Sequence, residues 1–143
     1  LLCYSLNDLK TPLHKYFIRT GNTTFGIQNM TYDSFSDRLY LAVYKGKKAE
    51  YHNYSTFAVE MSQEPFYDKL KGAPYQTEEV EQVSFCKGWH FKWGSMGLCS
   101  LGNGYFYISE NGKEDGREFC NATLYKLTAD GDLPFISMNQ TRQ

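Results

Sequence analysis

Two short stretches concentrate the side chains able to hold a partner. The first, CKGWHFKWGSMGLC, spans residues 86–99 and sets Trp89, His90, Phe91 and Trp93 beside Lys87 and Lys92. Rigid aromatic side chains offer large contact areas and lose little entropy on docking, so this stretch is good binding material. The second, YKGKKAEYHNY, carries Tyr44, Lys45, Lys47, Lys48, Tyr51 and His52, and three lysines beside tyrosines could meet an acidic protein surface. Each stretch also has a plainer reading. Trp89 and Phe91 could be half-buried core, and the lysines a solubilising loop. The candidate contact residues are Tyr44, Lys45, Lys47, Lys48, Tyr51, His52, Trp89, His90 and Trp93.

No constellation for catalysis accompanies them. The chain has no G-x-S-x-G, no H-E-x-x-H and no phosphate-cradling loop. Its carboxylates cluster at Glu78, Glu79 and Glu81 and again at Glu114, Asp115 and Glu118, runs that ordinarily form solvated faces or helix starts. Zinc is disfavoured because no C-x-x-C pair exists and only His14, His52 and His90 could assist. His14 reads as a structural residue at a strand start. A binding protein without metal or cofactor is expected, not an enzyme.

The compartment is legible in two independent signals. N-x-S/T sequons stand at Asn22, Asn29, Asn53, Asn121 and Asn139, a density expected of a glycosylated extracellular protein. The cysteines, Cys3, Cys86, Cys99 and Cys120, are even in number and allow three pairings. The preferred pairing is Cys3–Cys120 with Cys86–Cys99. The second bond would close a short loop worth about 3 kcal/mol in the chain-entropy model. The first would tie the chain nearly end to end.

The elements that must position these residues come from 143 residues with net charge -1, of which 17% are aromatic and 22% charged. That length fits one domain, and that charge gives no long-range field for nucleic acid. No apolar run reaches the ~20 residues that span a bilayer. The chain opens at Leu1 instead of Met and reads as a mature piece of something longer. Alternation predicts two strands about a Gly21-Asn22 turn, a strand at STFAVEM, and a strand at GYFYIS turning at Asn111-Gly112. A further strand is predicted from Asn121. SFSDRLYLAVYKGKK is ambiguous between strand and helix and is read as a short helix capped by Ser36. EPFYDKLKG and QTEEVEQVSF are also read as helices, with Pro65 in the first turn of one and Thr77 capping the other. The expected fold is α+β: an antiparallel sheet with short helices on one face and two disulfides. Residues 1–128 would form one glycosylated binding domain, and residues 129–143 an extended tail leaving it.

Three stretches carry a resemblance to a known family. HKYFIRTGNTTFGIQNMTY follows the first cysteine as aromatic strand, glycine-containing turn, apolar strand and sequon. Cys99 opens CSLGNGYFYISENGKEDGREFC, which ends on the last cysteine after a Y-x-Y strand and acidic residues. ISMNQTRQ closes the chain. In this order the chain resembles the receptor-binding subunit of arenavirus envelope glycoproteins at both ends, while residues 34–85 align only by element type. The resemblance implies helices in the middle and supports the Cys3–Cys120 bond, since the first and last cysteines pair in that family. It implies attachment to a host cell-surface receptor protein, neuropilin-2 for one divergent member, and assembly with the fusion subunit of the same precursor as a trimer of heterodimers on the virion surface. Positions matching the pH-sensitive histidine triad of one branch read His14, Lys15 and Phe119, so one histidine of the three remains. Asn22, Asn29 and Asn53 would then shield one side and leave a bare face for the receptor. The alternative reading is a secreted lipocalin-like protein that binds small ligands.

Overall fold

Five consecutive residues, Leu39, Tyr40, Leu41, Ala42 and Val43, are at most 8% exposed. A strand sends alternate side chains to opposite faces, so such a run needs cover on both sides. In the computed structural model, which describes residues 1–64, 66–69, 79–82, 86–128 and 134–141, the run lies in β4 (Arg38–Lys45). That strand is an inner member of a four-stranded sheet with β3 (Thr23–Asp33), β5 (Thr56–Glu60) and β8 (Cys86–Trp89), in the order β3-β4-β5-β8. Every pairing in this sheet is antiparallel.

One face of this sheet presents Tyr40, Ala58 and Trp89 to a second sheet. The second sheet contains β9 (Leu98–Ser100), β10 (Tyr105–Glu114), β11 (Arg117–Leu127) and β12 (Phe135–Ser137), in the order β12-β11-β10-β9. It contributes Leu98, Phe106, Ile108, Tyr125 and Phe135, with Phe91 from the connection between the sheets. Rings interlock in this core: Tyr40 meets Phe106 edge-on at 5.1 Å, and Phe91 meets Tyr125 edge-on at 5.6 Å. Such pairs add about 0.5–1.5 kcal/mol each beyond their burial. The opposite face of the first sheet carries Leu39, Leu41, Val43, Phe57 and Val59, packed by Leu1, Ile18, Tyr54 and Cys86. Leu1 and Ile18 flank a third sheet of β1 (Leu2–Ser5), β2 (Asp8–Phe17), β7 (Glu79–Gln82) and β6 (Phe66–Lys69), where β2 and β7 run parallel.

The α+β expectation is therefore overturned: three sheets carry the fold. Among the described residues the sole helical piece is a 3-10 turn, Met138–Thr141. The helix expected at 36–46 is β4 because its apolar residues fill both faces with period two. Leu39, Leu41 and Val43 join one cluster and Tyr40 the other, which no single helical stripe could do. Of the other two helices, the described parts are strands: Phe66–Lys69 pairs antiparallel with Glu79–Gln82. Pro65, Leu70, Thr77 and Val83 lie outside the described residues.

Pairing also departs from expectation. The strands around Gly21-Asn22 form, but not as a hairpin: β2 pairs with β1 and β7, whereas β3 pairs with β4. The turn expected at Asn111-Gly112 lies further on. The strand runs through Gly112 to Glu114 and reverses at Asp115-Gly116, with φ of 48° and 79°. Both dipeptides suit a type I′ turn, and packing selects between them. Gly112 stands opposite Phe119, whose ring fills the space a side chain there would need. The tail returns to the domain, since β12 pairs with β11 and Phe135 is 2% exposed.

Neither expected disulfide forms, and all four cysteines are unpaired. Each lies in a different sheet from its intended partner: Cys3 in β1 and Cys120 in β11, Cys86 in β8 and Cys99 in β9. A disulfide requires Cα atoms within about 7 Å, and strand placement sets that distance. Burial pushes the Cys86 thiol up to about 11, so it stays protonated at neutral pH.

The two packed sheets are also tied by a buried charge. Asp33, wholly buried at the end of β3, accepts from the Ser36 amide and hydroxyl at 3.0 and 2.8 Å. It also accepts from the Ser100 hydroxyl at 2.7 Å and the Gly104 amide at 3.2 Å. Burial by itself would raise this carboxyl. The four donors outweigh it and hold the group below the usual carboxylate range.

Candidate functional site: a cationic aromatic cleft

The two stretches singled out in the sequence meet at one end of the first sheet. There they border an open cleft of about 700 Å³. The end of β4 and the turn after it supply Tyr44, Lys45 and Lys47, and the segment after β8 supplies His90, Phe91 and Lys92. A third wall, Thr24 and Phe25, comes from the start of β3, with Val43 and Ser55 below. Three lysines and no carboxylate line this space among the described residues.

Antiparallel register explains the convergence. Thr23 stands opposite Lys45, so the start of β3 and the end of β4 share an edge of the cleft. Phe25, 73% exposed, meets Tyr44 edge-on at 5.8 Å. Thr56 stands opposite Trp89, which brings the 90–95 segment over the beginning of β5. That segment is then fixed by Ser55. Its hydroxyl donates to the Phe91 carbonyl at 2.7 Å and accepts from the Phe91 amide at 3.0 Å.

The lysine loop is braced from two sides. Asn22 accepts the Gly46 amide on its carbonyl at 3.0 Å. Its Oδ1 accepts the Lys47 and Lys48 amides at 3.1 and 3.3 Å. Asn53, with φ of 53°, donates from Nδ2 to the carbonyls of Lys48 and Tyr51 at 2.8 and 2.9 Å. Asparagine tolerates this left-handed conformation better than most residues. With its backbone held, the loop presents its lysine side chains without first ordering the chain.

Of the expected contact residues, Tyr44, Lys45, Lys47 and His90 line the cleft. Lys48, Tyr51 and His52 are exposed but do not line it. His52 stacks on Tyr54 at 5.1 Å, and His90 packs on the same ring at 5.0 Å. Trp89 is a core residue, 7% exposed, and Trp93 packs half-buried against the same core. The lining residues Phe25, Thr24, Ser55 and Ser95 were not among the expected contacts. Ser95 lies within the 86–99 stretch, whereas the signal at Thr24 and Phe25 is strand alternation, which does not say which ends meet.

Among the described residues no group of three or more His, Cys, Asp or Glu is placed to hold a metal ion. No helix there is long and apolar enough to cross a membrane. The arrangement can bind an anionic group through lysines while aromatic rings pack against the rest of the ligand. Comparison with protein-family models, with curated proteins and with solved structures gives no match for this chain.

Proposed function

We propose that this chain is a non-catalytic attachment module of an extracellular surface. On this reading it is the subunit of a viral envelope glycoprotein that binds a host cell-surface receptor protein for entry, and its cleft docks an acidic segment of that receptor. One observation carries the binding reading. Two loops separated by some forty residues converge with the start of β3 on a single cleft that holds Lys45, Lys47 and Lys92 and no opposing carboxylate. A surface built that way favours anionic partners and repels cationic ones. The five sequons support an extracellular place, and the motif order at both chain ends supports the viral one. Assembly with a fusion subunit as a trimer belongs to the same proposal.

The test is capture of surface proteins from intact human cells by the Fc-fused chain, with identification by mass spectrometry. The same capture is then run with Lys45, Lys47 and Lys92 changed together to glutamate. Recovery of one surface receptor by the wild type and its loss with the folded variant is the expected result. Equal recovery by both would remove the cleft from attachment. Tight uptake of a small apolar ligand, seen by native mass spectrometry, would favour a small-ligand carrier.

A further inference from the structure

The five sequons are not equivalent once folded. N-glycosylation joins the sugar to the asparagine Nδ2. The C1–O bond of a polyprenyl-pyrophosphate-linked oligosaccharide breaks, a C1–Nδ2 bond forms, one amide proton is lost and the lipid pyrophosphate leaves. A glycosylated asparagine thus keeps a single Nδ2 hydrogen, and the other position must open to solvent.

Asn53 fails this requirement. Both Nδ2 hydrogens are committed, to the Lys48 carbonyl at 2.8 Å and the Tyr51 carbonyl at 2.9 Å. Its Oδ1 is buried. The hydroxyl residue of its sequon, Ser55, is 8% exposed and spends its oxygen on both backbone groups of Phe91. A sugar on Asn53 would break the loop that carries Lys47 and Lys48. Asn22 and Asn29 are partly engaged: Asn22 accepts two amides of the same loop, and Asn29 donates to the Leu98 carbonyl at 3.2 Å.

Asn121 is the opposite case. It lies in β11 opposite Glu110, next to the part of the β10–β11 hairpin whose tip is exposed, and is itself exposed. No hydrogen bond among the described residues engages its side chain. Both amide hydrogens are available to chemistry, and a glycan there displaces only solvent.

We propose that the fold sorts these sequons: Asn121 carries a glycan in the folded protein, and Asn53 is a structural asparagine whose sequon stays unmodified. The lysine loop then carries no sugar at Asn53. This goes beyond the binding reading and shares with it only passage through a secretory pathway, so either can fail alone.

The experiment is secretion of the full chain from a eukaryotic cell, isolation of the folded monomer, and glycopeptide mapping by mass spectrometry. Most molecules should carry a glycan at Asn121 and an unmodified Asn53. Mapping uses the wild-type chain, so it does not depend on any variant folding. Asn121→Gln should remove one glycan mass and leave the melting temperature within about 1 °C. Asn53→Asp, which replaces Nδ2 and its two N–H donors by an acceptor oxygen facing the same carbonyls, should lower melting by roughly 4 °C or more. A predominantly glycosylated Asn53 in the folded chain, or a bare Asn121, would overturn the assignment.

Discussion

The Ser55 hydroxyl makes a two-way hydrogen bond with the backbone of Phe91, at 2.7 and 3.0 Å, across 36 residues of sequence. Both residues line the cleft. The bond fixes the 90–95 segment to the start of β5 and so sets the distance between the cleft walls. Ser55→Ala should cost about 1–3 kcal/mol, since it leaves the buried Phe91 amide without its partner. Urea denaturation measures the loss. Receptor capture by the variant should weaken even while it remains folded, and unchanged stability would show that the bond does not hold the wall.

Charge in the cleft should act on binding and not on folding. Lys92→Glu and Lys47→Glu change exposed side chains, so each should leave stability within about 0.5 kcal/mol of wild type. Each should weaken binding of an acidic partner at least several-fold. Affinity should also fall as salt is raised, because exposed charges are screened. Surface plasmon resonance across a salt series reads both effects.

Trp89 and His90 are neighbours with opposite expected outcomes. Trp89 is core, and Trp89→Ala should destabilise by about 3–5 kcal/mol. His90 is exposed at the cleft, so His90→Ala should fold normally and alter binding. Thermal melts of the pair, followed by binding on whatever folds, check this. A His90 variant that loses stability as Trp89→Ala does would place the histidine in the core instead.

Two buried groups bound the pH range of stability. The Asp33 carboxyl is held below its ordinary 3.8, so its contribution is present above that value and is lost as pH falls through the folded pKa. Burial, and then the 2.6 Å hydrogen bond to Glu110, raise the Tyr125 hydroxyl above its ordinary 10. Its contribution is present below pH 10 and is lost as pH rises toward the folded value. Stability measured by denaturant should therefore fall below about pH 4 and above about pH 10. Asp33→Ala should cost about 2–4 kcal/mol at neutral pH and flatten the acid limb. An acid limb unchanged in that variant would assign the acid sensitivity elsewhere.

Strands form at STFAVEM, at GYFYIS and after Asn121, because local periodicity reports which residues share a face, though β10 and β11 extend past the expected turn to meet at Asp115-Gly116. LYLAV reads wrongly as helix for a physical reason. A strand buried on both faces loses the alternation that marks a strand, and Ser36 and Gly46 supply plausible helix ends. The site was half legible. Lysines and aromatics named the two loops, while Phe25 and Ser55 emerge only when strand ends are brought together.

By itself, the sequence determined the chemistry on offer: cationic and aromatic loops, five asparagines in acceptor sequons, and strand-forming runs rich in tyrosine and phenylalanine. Tertiary structure decided how these combine. It left Cys3, Cys86, Cys99 and Cys120 unpaired, with expected partners in different sheets, sent Trp89 inward, and turned Asn22 and Asn53 into braces of the lysine loop. Sheet pairing is non-local, so which strand ends meet depends on the burial of whole faces and not on neighbours in the chain.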